Sequence, residues 1–442
     1  MAFGVPGLRK LAFSLCLLAL SVTWLSCYGS KNYQNPSKVR FRAVISNSLH
    51  PVTTGVHIPA LEIMDATTDK LSFSPISLAE LPDLSTLDVA SNKSVTLAYS
   101  PGGHMFGIVN NTAEQSSGST VTIPDSTDSF FLASNTQFVY AAVPNAPTPG
   151  GIPGAVVQVN ISSGTISATI PIPHVRFIRE IPAANVIVAL TDNGEGACSP
   201  PLGTVILISE GKIGSSSDPR SLPICGLNQQ GFDHPAGIGL TANPFKPVIL
   251  QCGKECGGTN DAAAIPLDIT TTPPTAQPPI PVPAATAALG VGNILYIAGT
   301  APGTTCASGT AATSCGTLTA IDLSGAQAAK SVEITDGYHD KMEVTTDGQI
   351  VIGSHDCTEV STSSETRGCL SFFNPSTSKV SIALFNGNVT GLAPIPGRNV
   401  LYAIQGGSFV VYDTTTDKFM PEDHQTRIVG ESVDVKVIDN AP

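Results

Sequence analysis

A unit of about fifty residues recurs along this chain, and nothing else in the sequence limits the possible folds so sharply. Each copy is an apolar strand, a Gly or Asn turn, a second apolar strand, a loop, and a third strand ending in Asp or Asn followed by Thr or Ser and often Lys. The clearest copies are Leu61-Glu-Ile-Met-Asp65-Ala-Thr-Thr-Asp-Lys70 and Phe409-Val-Val-Tyr-Asp413-Thr-Thr-Thr-Asp-Lys418. The anchors Asp65, Asn110, Asn160, Ser209, Asp268, Asp322, Asn374 and Asp413 follow one another at intervals of 39 to 59 residues. A sheet of that length cannot bury its faces alone and must stack on its neighbours, one four-stranded sheet per copy. The expectation is an all-β chain forming a single β-propeller of eight four-stranded blades, or of seven if one degenerate copy is an insertion.

The copies can be followed strand by strand, lettered A to D from the axis outward. In the seventh, 341–346 reads as A, 349–353 as B, 369–373 as C and 380–384 as D, with Asp347-Gly348 as the hairpin turn where positive φ favours glycine. The eighth repeats this with 391–395, 400–404 and 409–412. Segment 39–45 begins the chain on a B-like strand, while 432–438 looks like an A strand with no B after it. Pairing the two would build the first blade from both ends of the chain, closing the ring and removing an open sheet edge. The weakest copy runs from Gly231 to Val282, where 273–283 is too rich in proline for a central strand and reads as an edge or loop.

Composition agrees and excludes other classes. With 13% charged residues, 41 Gly and 35 Pro, the chain has neither the Glu, Lys and Arg of a helical bundle nor the charge of a disordered tail. A formal charge of -12 argues against nucleic acid, whose phosphate backbone needs a basic footprint.

The strand ending Val-Val-Tyr412 followed by Asp-Thr-Thr-Thr-Asp-Lys418 resembles the YVTN-type bacterial propeller repeats. The tetrapeptide that names the family is absent; Phe138-Val-Tyr-Ala-Ala142 and Leu295-Tyr-Ile-Ala298 come nearest. The resemblance covers nearly the whole mature chain and implies a propeller fold and an exported location, without implying one reaction. The single tryptophan, Trp24, lies in the leader, so a WD-type or tryptophan-docked propeller is not expected. The chain contains no Gly-x-Gly-x-x-Gly, Gly-x-Ser-x-Gly or His-Glu-x-x-His, so nucleotide, hydrolase and zincin motifs give no lead.

Arg9 and Lys10 precede an apolar run, 11–25, too short to span a bilayer as a helix. It reads as a signal peptide, 1–26. Trp24-Leu25-Ser26-Cys27 resembles a bacterial lipobox with Trp in place of the usual Leu, which makes Cys27 the expected lipidation site, 27–38 a tether and 39–442 the propeller. The expected location is the bacterial cell envelope, as an outer-membrane or periplasmic lipoprotein, or secreted if Cys27 is not lipidated. Only that lipid anchor would touch a membrane.

Beyond Cys16 in the leader and Cys27, eight cysteines fall in local couples: Cys198 with Cys225, Cys252 with Cys256, Cys306 with Cys315, and Cys357 with Cys369. An even number in an exported chain suits four disulfides. A zinc site near His355 is not favoured, since no couple has Cys-x-x-Cys spacing, and no metal is assigned.

In a four-stranded blade the B-to-C loops and D-to-A connections emerge on one face. The long insertions 191–203, 251–263, 300–316 and 354–368 are all B-to-C loops, so that face should carry a disulfide-braced crescent. Asp233 and His234, together with Asp336, Tyr338, His339 and Asp340, read as D-to-A connections opening near the channel, and His355 and Asp356 begin the adjacent loop. These eight form the candidate ligand site, because His and Asp supply acid/base, metal-ligand or polar contacts. Arg176, Arg179, Glu180, Lys341 and Glu343 are expected to line the channel. Asp65, Asp322 and Asp413 read as structural turn residues. The favoured function is a non-enzymatic, monomeric binding scaffold for an envelope protein, glycan or small ligand. The alternative is an exported hydrolase or lactonase-like enzyme using His339 and His355 with Asp336 or Asp340. No cofactor can be named.

Overall fold

Val400–Gln405 is buried at every position, and a strand without a polar face has to lie between two other layers. The computed structural model describes residues 35–440 apart from 50–57, 73–74, 84–85, 150, 193–196, 304–313, 326–328, 358–368 and 386. Eight antiparallel sheets surround a central channel, each with its A strand innermost. The expected signal peptide, Cys27 and Cys306 lie outside the described residues, and 35–38, the last part of the expected tether, rests on blade 2 through hydrogen bonds from Asn35 and Ser37 to Glu114.

Side chains alternate along each B strand, so one strand fastens two neighbouring blades. In blade 8 Val400, Tyr402 and Ile404 pack against Phe41, Ala43 and Ile45 of blade 1. Leu401 and Ala403 turn the other way, onto Val351 and Phe372 of blade 7.

Blade 1 is built from both ends of the chain, as expected. Its A strand is Glu431–Val437 and its B strand Arg42–Leu49. The two run antiparallel with Ala43 opposite Val437 and Ile45 opposite Val435. Blade 7 comprises Tyr338–Val344, Ile350–His355, Leu370–Asn374 and Lys379–Ile382. Its A strand therefore starts three residues before the expected 341. Three blades have irregular outer edges, blade 1 through two short pieces, Lys70–Leu71 and Ile76–Ser77, that pair separately with its strand C. Blade 4 has three strands, Val175–Ile181, Val186–Thr191 and Val205–Ser209, and isolated bridges from Val205 to Ile224 and Ile208 to Arg220 stand in for the fourth. In blade 5 the proline-rich segment supplies two short pieces, Thr275–Ala276 and Ile280–Pro281, that pair separately with strand C, consistent with an edge position.

The repeated Asp/Asn turn has a local cause. Asp65 accepts the amide of Thr67 at 2.9 Å, Asp322 that of Ser324 at 2.8 Å, and Asp413 that of Thr415 at 2.8 Å. The fourth residue beyond the anchor takes a left-handed conformation: φ is 60° at Asp69, 51° at Glu114 and 56° at Asp417, with glycine at the same place in Gly164. There the turn residue meets the blade before it. Glu114 reaches back to Arg42 at 2.8 Å, Asp417 to Gln349 at 2.9 Å, and Asp69 to Arg398 at 2.6 Å. The turn thus closes a strand pair and clasps two blades.

Candidate functional site

The channel holds a cavity of about 1350 Å³, and its walls are the A strands. Strand A of blade 7 carries a bulge between His339 and Lys341, leaving Asp340 as the extra residue. Strand A of blade 4 carries the same bulge between Val175 and Phe177, leaving Arg176. A bulge re-aims the side chain it frees. In both blades that side chain is turned into the channel and meets a residue at the end of strand B: Arg176 pairs with Asp192, and Asp340 Oδ1 lies 3.0 Å from His355 Nε2. The second approach is an ion-pair distance without a well-directed hydrogen bond. Lys341 Nζ donates to Asp340 Oδ2 at 2.8 Å. Burial alone would push the Asp340 carboxyl up, but His355 and Lys341 outweigh it and hold it below the usual carboxylate range. Tyr338, half exposed, stands beside this group, its hydroxyl pushed up by burial and by Asp340.

The other candidates are spent elsewhere. Tyr338, His339 and Asp340 belong to strand A itself rather than to a D-to-A connection, and His355 ends strand B. Parity then sends His339 away from the channel. It is fully buried, Nε2–H donates to the carbonyl of Thr335 at 2.8 Å, and burial lowers the imidazole to about 4, so it stays neutral. Asp336 is buried too. Asp233 braces the crescent, accepting the amides of Thr259 and Asn260 at 2.7 and 2.6 Å and the ring Nδ1–H of His234 at 2.8 Å. These bonds outweigh burial and keep its carboxyl low. His234 lines the channel, while Asp356 sits on the rim, its amide donating to Asn388 Oδ1 at 2.9 Å. Of the eight candidates, Tyr338, Asp340 and His355 come together. Sequence reasoning missed Asp192, whose only signal was its place one residue after an apolar B strand.

Disulfides join Cys198 to Cys225, Cys252 to Cys256 and Cys357 to Cys369, each with Cα atoms 5.7 Å apart. Cys315 is also disulfide-bonded. The small Cys252–Cys256 ring presents Glu255 to blade 6, where it accepts the amides of Ala285 at 3.0 Å and Thr300 at 2.5 Å. Burial raises this carboxyl to about 7 despite the two amides. The crescent is therefore tied both within loops and between blades. Among the described residues no three His, Cys, Asp or Glu side chains gather closely enough to hold a metal ion.

Eight blades, closed by strands from both ends and carrying an elaborated loop face, define the class: an eight-bladed all-β propeller. Solved structures agree at the level of the fold. A chain of the Kuenenia stuttgartiensis hydrazine synthase matches with a TM-score of 0.55 and 12% identity, over 76% of this chain and 97% of its own. Apo AztD from Citrobacter koseri matches with a TM-score of 0.53 and 10% identity, over 90% of this chain and 97% of its own. No family model matches the sequence. No curated protein matches it either.

Proposed function

We propose that this chain is an exported YVTN-type propeller, anchored in the bacterial envelope through Cys27, that serves as a non-enzymatic binding scaffold. Its disulfide-braced face and channel mouth engage an envelope protein, a glycan or a small ligand. The observation that carries this reading is the pairing at the mouth. Arg176 is matched by Asp192, Asp340 by His355 and Lys341, and His234 by Asp233. Such a surface offers polar contacts already held in place, as recognition requires. A catalytic site would add a nucleophile within reach of the base and donors for the developing charge.

The hydrolase reading keeps one specific support, the 3.0 Å approach of His355 to Asp340. Two experiments separate the readings. Pull-down from an envelope extract with wild type and a Tyr338→Ala, His355→Ala variant should yield a partner lost in the variant; equal recovery by both would remove the mouth from the binding surface. A panel of esters and lactones should show no turnover, and turnover abolished by Asp340→Asn would replace the scaffold with the enzyme. For the anchor, intact-mass spectrometry of membrane-extracted protein should find a diacylated or triacylated N-terminal Cys27.

A further inference from the structure

Seven carboxylates and four basic side chains line the channel, and three of the four bases face a carboxylate. Arg176 meets Asp192, Lys341 meets Asp340 at 2.8 Å, and Lys436 lies 3.8 Å from Asp434. Arg179 meets none among the described residues. Its Nη1 donates to the backbone carbonyl of Ile238 on blade 5 at 2.7 Å, which fixes the side chain across the seam between blades 4 and 5. Its neighbour Glu180 has turned away, accepting the amide and hydroxyl of Ser134 at 2.7 and 2.6 Å. The backbone beneath is held as well, since the Ile178 amide donates to Ser129 Oγ at 3.0 Å. The result is a guanidinium held in place, with donors to spare, facing a cavity of about 1350 Å³. Desolvation with no counter-charge pulls it below the usual arginine range.

We propose that Arg179 anchors a ligand inside the channel, and that the ligand is an organic monocarboxylate with an apolar body. The planar guanidinium matches a carboxylate edge, and a charge-assisted pair relieves the cost of burying the cation alone. Phe177, Leu289 and Met342 face the same cavity and supply the apolar wall. The acidic excess of the lining selects against a doubly charged phosphate, which would meet more repulsion than one guanidinium offsets. This site lies on the channel wall, and it stands whether or not the rim binds a macromolecule.

The test is calorimetric titration of the purified protein with hexanoate, hexan-1-ol and inorganic phosphate. Hexanoate should bind to the wild type in preference to the other two. Arg179→Gln should weaken it about tenfold or more, while Arg179→Lys, which keeps the charge without the fork, should lie between. Arg220→Gln, on the outer edge of blade 4, should bind as the wild type does. Hexanoate binding unchanged in Arg179→Gln, or absent from the wild type, overturns the proposal. If Arg179→Gln does not fold, the wild-type comparison decides alone: hexan-1-ol binding as tightly as hexanoate overturns the anchor, and phosphate binding more tightly overturns the ligand class.

Discussion

Two seams of the ring carry the same design and differ in charge. Where blade 8 meets blade 1, Asp69 is wholly buried and accepts Arg398 at 2.6 and 2.7 Å, the Tyr402 hydroxyl at 2.5 Å and His424 Nδ1 at 2.7 Å. Burial would raise this carboxyl, yet those bonds hold it below the usual range. Where blade 3 meets blade 4, Tyr140 occupies the position of Tyr402 in its own B strand, and the acid is Glu210. Among the described residues no arginine pairs with Glu210; Tyr140 reaches it at 3.5 Å, and burial with Glu180 nearby raises it to about 7. A seam between blades consecutive in the chain is held together covalently whatever its clasp does. The closing seam joins segments more than three hundred residues apart, and there the acid is fully neutralised.

Removing 431–442 tests the closing seam most severely, since it strips blade 1 of its A strand and buried Val435. The truncated protein should lose its cooperative urea transition altogether, as read by circular dichroism. Arg398→Met should come next, costing about 3 kcal/mol by stripping a buried carboxylate of its arginine and leaving it only His424 and Tyr402. Tyr402→Phe should cost about 1 to 2 kcal/mol, and Tyr140→Phe about 1 kcal/mol or less, mostly through the lost bond from Gln158. Equal costs for the two tyrosines would dissolve the contrast.

The smallest effect is the most diagnostic in sign. Glu210 has a folded value of about 7 against 4.5 unfolded, so the folded state binds the extra proton and stability falls as pH rises across that window. Glu210→Gln should remove that slope, gaining about 1 kcal/mol over wild type at pH 8 after solvent screening. Asp69 runs the other way, its contribution present above the ordinary carboxylate range and lost on acidification through its lowered folded value. Melting temperatures from about pH 2 to 8 for wild type, Glu210→Gln and Arg398→Met check both signs, Asp69 below pH 4 and Glu210 above it. His339, lowered to about 4, and Glu255, raised to about 7, contribute equally to all three proteins and cancel in the differences.

What the sequence shows well is whatever depends on near neighbours. Asp65, Asp322 and Asp413 act two residues along the chain, so their turn role could be read directly. Three of the cysteine couples and the closing strands were legible for similar reasons, one from local spacing and the other from an A strand and a B strand each lacking its mate. Side-chain direction inside strand A was not. The bulge beside Asp340 shifts parity by one residue, sending His339 inward to Thr335 and Asp340 into the channel, and no local propensity announces it. Nor could Asp69 be ranked above Asp65, four residues earlier in the same turn. Its partners Arg398 and His424 belong to the far end of the chain.

The register that sets Ala43 opposite Val437 also fixes a timetable for synthesis. Strand Arg42–Leu49 is made almost four hundred residues before its inner partner, Glu431–Val437. Until that partner is made the nascent chain carries an unpaired backbone edge, open to the same strand of another copy. Secure assembly begins only when Glu431–Val437 arrives, and crowding of unfinished chains before then favours exchange of that strand between molecules.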